Sequence, residues 1–247
     1  MGREVMSDKR RTIRRPFSGI YSVQDAAVFL RATTPPPQIP LRVWEIKRKR
    51  FVGPSSRHIC HWIRRSANGD LNRRGHLALN FEQLIRARMI VLFRTRGLPL
   101  RAILAAEANM HEMTGKPQPF ITEQLWSSSS DMFFELEKAI RAATRPHQLV
   151  FDDIIKEYMT PIHHGLEFDA SGLTTLWKPM ASVMIDPELQ FGSPCIEGTR
   201  VETESLWSFH RSGESGESVD TLAEMFALTV DQVEAALAWE GTLARAA

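Results

Sequence analysis

The sequence predicts a mainly α protein with small β elements, and three observations carry that expectation. Apolar residues recur at helical spacing in window after window. Ser, Thr and Gly stand where helices start and stop. The extended candidates between them are short and bounded by Pro or Gly. With 247 residues, 43% of them hydrophobic, the chain can bury the core of one large domain or two small ones.

The elements follow in order. Residues 1–16 are a basic arm with six Lys/Arg and no apolar period, expected to be disordered in isolation. Ser22 caps a helix that buries Val23, Ala26, Ala27 and Leu30. The Pro-rich segment 33–40 cannot be helical, because proline removes donors and forces extended backbone. Leu41 to Phe51 carries the run Lys47-Arg48-Lys49-Arg50 and reads as a solvated strand or loop. Ser55 to Arg65 is a short helix with Ile59, Trp62 and Ile63 as its buried stripe. Gly69 to Leu79 is a polar turn the size of a small hairpin or wing. Phe81 to Arg96 and Leu100 to Met113 are helices that end at Gly97 and Gly115. Pro119 to Leu136 reads as a β-hairpin around Ser127 to Ser130, Phe151 to Tyr158 as a helix and Leu173 to Trp177 as a strand. Short extended segments follow at 182–187 and 194–201, around turns at Pro187 and Gly192. Three helices, about 204–211, 219–226 and 230–243, end the chain, with Thr229 capping the last. Three short helices with tight turns make a bundle of helix-turn-helix size.

Charge divides the chain. Residues 1–100 hold 21 Lys+Arg against 6 Asp+Glu, and residues 101–247 hold 10 against 23. A basic half attracts polyanions by counterion release, nucleic acid above all. The plainer alternative is that the two halves attract each other and pack. A recognition helix needs one apolar face on its own domain and one polar, cationic face toward a groove. Arg57, His58, His61, Arg64 and Arg65 give the helix at 55–65 such a face, with Arg73 and Arg74 on the wing as phosphate contacts.

Catalytic and metal motifs are absent from the pattern. No nucleophile elbow, P-loop, dinucleotide glycine pattern or His-Glu-x-x-His occurs. On a helix His58 and Cys60 diverge by about 200°, and adjacent Asp152 and Asp153 by about 100°, so neither pair forms a site by itself. No catalytic residue, metal or cofactor is expected. The rival from the enzyme class is a metal-dependent nuclease using Asp152, Asp153 or Glu157. Two cysteines, Cys60 and Cys195, cannot build a disulfide framework, and no window approaches a membrane-spanning apolar run. Both points predict a cytoplasmic protein.

The stretch Gly192-x-Pro194-x-x-x-Gly198-Thr199-Arg200 is the most distinctive. Its glycines permit tight turns of positive φ, and Arg200, a lone cation amid acidic sequence, is expected to be tied to a carboxylate or a carbonyl end. A fold-defining role is favoured over ligand binding.

Val183 to Pro187 with Phe191 to Val201 resembles a small GTR-motif domain of unknown function, which has a trihelical, homeodomain-like fold and occurs commonly in bacterial antitoxins. Tyr21 to Ala27, Arg57 to Arg64, Phe81 to Ile85 and Arg96-Gly97 are similar to a MerR-like winged helix. Together the arrangement resembles larger VapB-type antitoxins of VapBC systems. One departure is that segment 33–54 separates the two helices, where an ordinary helix-turn-helix has three or four residues. After the basic arm at 1–16, the expected order is a winged-helix domain at 17–115, a connecting α+β region at 116–180 and the trihelical domain at 181–247, the first and last as the resemblance implies. It implies a non-catalytic antitoxin that blocks a PIN-like ribonuclease toxin and represses its own operon, with operator DNA and the toxin as partners. A homodimer would match a two-fold operator. The alternative within the binding class is a MerR-like regulator without a toxin.

Overall fold

The computed structural model describes residues 19–34, 53–64, 78–95, 99–126, 165–212 and 216–247. The fold is mainly α with small β elements, as predicted. Tyr21–Ser22 (β1) leads into α1 (Val23–Ala32), and α2 (Ser56–Arg64) packs on it. Ala78–Leu79 (β2) pairs antiparallel with β1, Tyr21 opposite Leu79. Then come α3 (Phe81–Thr95) and α4 (Leu100–Thr114).

Local chemistry places the helix boundaries where the sequence puts them. The Ser22 hydroxyl accepts the Asp25 backbone N–H at 3.0 Å, an N-cap. Asn80 and Gln83 satisfy each other's backbone N–H groups at 2.8 and 3.0 Å at the start of α3, a reciprocal cap. Gly115 ends α4 in the left-handed conformation, φ 66°, with its N–H on the His111 carbonyl.

Helix α3 is the centre of the molecule. The spacing predicts one apolar stripe through Leu84, Ile85, Met89, Leu92 and Phe93, yet Ala87, Ile90, Val91 and two arginines are buried as well. A helix buried on every face lies inside the core, with other elements packed around it.

After α4 the chain departs from expectation. Of the hairpin predicted over Pro119 to Leu136, the described part forms two 3-10 turns, Pro119–Ile121 and Glu123–Trp126. Pro119 lacks a donor, the Thr122 hydroxyl bonds back to the Pro119 carbonyl at 2.8 Å, and Phe120, Ile121 and Leu125 are all buried. Three apolar side chains from these two consecutive turns plug the core instead of alternating between two faces. The rest of that hairpin, the helix at 151–158, the basic arm and segment 35–52 lie outside the described residues.

Four short strands follow, β3 (Leu166–Phe168), β4 (Thr174–Met180), β5 (Val183–Ile185) and β6 (Pro194–Ile196), antiparallel in the order β3-β4-β5-β6. One row crosses the whole sheet: Leu166 faces Trp177, Trp177 faces Ile185, and Ile185 faces Pro194. The chain ends in α5 (Thr203–Arg211), α6 (Val219–Phe226) and α7 (Val230–Ala246). Thr229 and Gln232 make a full capping box on α7.

One hydrophobic cluster runs from Tyr21 and α1 through α3 and the sheet to Trp239 of α7. A smaller one, Ile196, Leu206, Leu222, Ala223, Val233 and Ala236, belongs to the three last helices. Helix α7 serves both, packing against α5 and α6 on one side and α1 on the other. Its Trp239 ring lies 6.1 Å from that of Phe29. Among the described residues no helix is long and apolar enough to cross a membrane.

Candidate nucleic-acid interface

Helix α2 separates its residues as a groove-facing helix must. Ile59 and Trp62 are buried against α1 and α3, while Arg57, His58 and His61 are exposed. Its first turn carries no acidic residue, so its partial positive end is left uncompensated. The Ser55 hydroxyl accepts the His58 backbone N–H at 3.4 Å, and the Ser55 backbone N–H donates to His58 Nδ1 at 3.2 Å. The imidazole takes the place that Glu or Gln holds in an ordinary capping box. It also stacks on Trp62, with centroids 5.8 Å apart and planes at 18°. The His58 ring is therefore held at its edge and on its face, whereas Arg57 and His61 extend from the surface. The Arg64 side chain and residues Arg65, Arg73 and Arg74 lie outside the described residues.

What holds α2 in place was not legible as a site. Arg86 of α3 is 2% exposed and grips Glu107 of α4 with Nε and Nη2, both at 2.5 Å. Its Nη1 donates to the Trp62 carbonyl at 3.2 Å. One guanidinium thus joins α3, α4 and the last turn of α2, where unpaired carbonyls need donors. In the sequence Arg86 looks like any surface arginine of an amphipathic helix; only the burial of α3 on every face singles it out. Arg88, two residues further along α3, lies 5.3 Å over the Trp177 ring. Burial pulls its guanidinium down to about 10, which still leaves it charged at neutral pH.

Both glycines of the Gly192 to Arg200 motif take positive φ. Gly192 has φ +92°, and a Cβ there would stand 2.2 Å from the Tyr21 hydroxyl oxygen. The Tyr21 ring is pressed against both Gly192 and Gly19, and the Ile20 N–H donates to the Phe191 carbonyl at 2.9 Å. The motif's first glycine is therefore the seat of the first strand of the fold. Burial, then the nearby Asp186 charge, raises the Tyr21 phenol well above its ordinary value. Gly198 has φ +77° with nothing near its missing Cβ. There the Thr199 hydroxyl accepts the Val201 N–H at 3.1 Å and donates to the Ile196 carbonyl at 2.9 Å. Pro194 pairs with Ile185 across the sheet.

Arg200 corrects the expectation placed on it. Its side chain is exposed and has no ion pair among the described residues, and only its backbone carbonyl is engaged, by Gln190 Nε2 at 3.1 Å. The cation that bridges carboxylates is instead Lys178, whose Nζ lies 2.6 Å from both Glu167 and Glu197. The sheet brings those two residues to either side of it, a non-local juxtaposition.

The last three helices present the opposite charge. Glu217, Asp220, Glu224, Asp231 and Glu234 of this unit are all exposed, the last four on α6 and α7. Exposed apolar side chains lie among them, with Phe209 43%, Met225 55% and Val230 41% accessible. Phe209 meets Phe226 edge to face at 5.7 Å. Burial, with a further push from the Glu202 and Asp186 charges, raises the Cys195 thiol to about 11, which keeps it protonated and inert. Among the described residues no group of three or more His, Cys, Asp or Glu could hold a metal ion. Asp152, Asp153 and Glu157 lie outside the described residues.

Residues 183–239 match a family described as "Protein of unknown function (DUF433)". The match spans β5 to Trp239 and includes every residue of the Gly192 to Arg200 motif. No curated protein matches the chain. The fold is similar to the crystal structure of Rv2018 from Mycobacterium tuberculosis, with a TM-score of 0.60 at 17% identity, over 88% of this chain and 96% of that one.

Proposed function

We propose that the chain is a non-catalytic, DNA-binding antitoxin that represses its own operon and neutralises a PIN-like ribonuclease by direct contact. The observation that carries the DNA half is α2: a helix fixed from behind by Arg86 and Trp62, with Arg57 and His61 exposed and no carboxylate in its first turn. Arg57 and His61 enter the major groove, joined by Arg64 and Arg65, while Arg73 and Arg74 contact phosphate. The acidic exterior of α6 and α7 supports the second half, since a surface that repels nucleic acid suits a partner with a basic RNA path. A homodimer on a two-fold operator completes the reading, in a cytoplasmic protein.

The test is a shift assay on the chain's own promoter DNA, repeated after co-expression with the protein of the adjacent reading frame. Arg57→Ala with His61→Ala is expected to weaken binding and to lower the salt slope by about one for each phosphate left unneutralised. An unchanged slope removes α2 from the interface. Promoter binding with no co-purifying neighbour would leave a regulator without a toxin.

A further inference from the structure

Arg31, in the last turn of α1, holds two distant parts of the chain at once. Its Nε donates to the Ala246 carbonyl at the end of α7 at 2.7 Å, and its Nη1 donates to the Pro54 carbonyl at 3.0 Å. Pro54 immediately precedes Ser55, whose hydroxyl caps α2 and whose carbonyl accepts the Ile59 N–H at 3.2 Å. The stem of Arg31 also fills the space beside Gly53, where an added Cβ would come within 2.9 Å of Arg31 Cγ. The carbonyls that end a helix have no partners within it and carry the negative end of its dipole. A guanidinium is the side chain best suited to satisfy one of them while its second arm reaches elsewhere. Phe29, two residues earlier, makes the ring contact with Trp239 that brings α1 and α7 together.

We infer that Arg31 couples the last turn of α7 to the first turn of α2, so that whatever unwinds or displaces the end of the trihelical unit loosens the helix that carries Arg57 and His61. Coupling of this kind is reciprocal: a ligand that fixes α2 also steadies the end of α7. Its consequence for DNA rests on the function proposed above, but the coupling itself is a property of the free protein and is measurable without DNA.

The experiment compares hydrogen exchange in four proteins: the native chain, Arg31→Met, a chain ending at Ala244, and the two changes combined. Loss of the charged hydrogen bonds is expected to speed exchange of the Ile59 to Trp62 amides by on the order of tenfold. Arg31→Met and the shortened chain should do so alike, and the combination no more than either. The α3 amides should not change, which separates loosening of α2 from global unfolding. Native exchange of α2 in the shortened chain overturns the inference. So does a rise spread equally over α3, and so does a combined effect equal to the product of the two. A promoter shift then separates the two claims. If the native chain fails to bind DNA while the exchange pattern holds, the DNA reading falls and the coupling stands. If the native chain binds and the shortened chain binds equally well with α2 loosened, the coupling has no bearing on DNA.

Discussion

The molecule contains two helix pairs of the same general kind and opposite surface. In the first, α1 and α2 are separated by residues 33–55 and α2 shows Arg57, His58 and His61. In the second, α6 and α7 are joined by residues 227–229, and the outward charges are Asp220, Glu224, Asp231 and Glu234 with the single cation Arg245. The short connection works because Ala227 takes the left-handed conformation at φ 52° and the Leu228 N–H closes back on the Ala223 carbonyl at 2.9 Å. By backbone alone the second pair is the better helix-turn-helix. By charge it is the worse nucleic-acid reader, since carboxylates facing phosphate repel. Connection geometry sets how two helices cross, and the exposed side chains set what they can meet.

The pairs also differ in how they are held, which makes the largest prediction. The second has its own small core, whereas α2 joins the main core through Ile59 and Trp62 and is tied to it by the buried Arg86. Glu107→Ala leaves the Arg86 guanidinium buried without its carboxylate and should cost about 3–5 kcal/mol in urea unfolding. Hydrogen exchange of α2 should rise before that of α6 and α7. A loss below about 1 kcal/mol would mean that the pair behaves as a surface ion pair, and that α2 rests on its buried Ile59 and Trp62 instead.

The two glycines of the motif give the next largest contrast. Gly192→Ala brings a methyl group against the Tyr21 ring at φ +92°, and strain and overpacking together should cost about 3 kcal/mol. Gly198→Ala meets no atom within 4 Å at φ +77° and should cost about 1 kcal/mol, the conformational penalty alone. Equal losses in thermal unfolding would show that Tyr21 yields to the added methyl group and that the close approach is not what requires Gly192.

Local chemistry is legible in the sequence and long-range chemistry is not. The Ser22 cap, the Gly115 stop and the Thr229 start depend on groups within one turn, so a linear reading finds them. Strand β3 escapes such a reading because three residues, Leu166–Phe168, are too few for alternation to register. The 3-10 turns after Pro119 resemble a strand in sequence because both patterns place apolar residues close together. Of the candidate interface, the face of α2 is visible as Arg57, His58 and His61, but its support is hidden. Arg86 finds Trp62 and Glu107 only after α3 is enclosed, and Arg31 finds Ala246 only after the two ends of the fold meet. The requirement for Gly192 is visible as a turn, while its cause, Tyr21, lies at the other end of the sequence. For Arg200, acidic neighbours in sequence do not become ion-pair partners among the described residues, and its side chain is exposed.

The smallest effect concerns a half-buried carboxylate in each region. Burial raises Glu82, which accepts from Gln118 Nε2 at 2.6 Å, and burial likewise raises Glu240, which accepts from the Thr203 hydroxyl at 2.5 Å. The hydrogen bond works against burial in both, and at Glu240 the Glu204 charge adds to burial. A carboxyl that is harder to ionise in the fold than in the unfolded chain contributes stability below its ordinary value of 4.5. That contribution fades as pH rises through the higher folded value. Glu240→Gln keeps an acceptor for Thr203 and removes the buried charge, so it should be more stable than the native protein at pH 7 and equal to it near pH 4. Glu82→Gln should behave the same way toward Gln118, with the Gln oxygen accepting where the carboxylate did. A native protein that is more stable than both variants at pH 7, with the gap closing on acidification, would show that the hydrogen bonds to the ionised forms outweigh burial. The sign of the linkage in both regions would then be reversed.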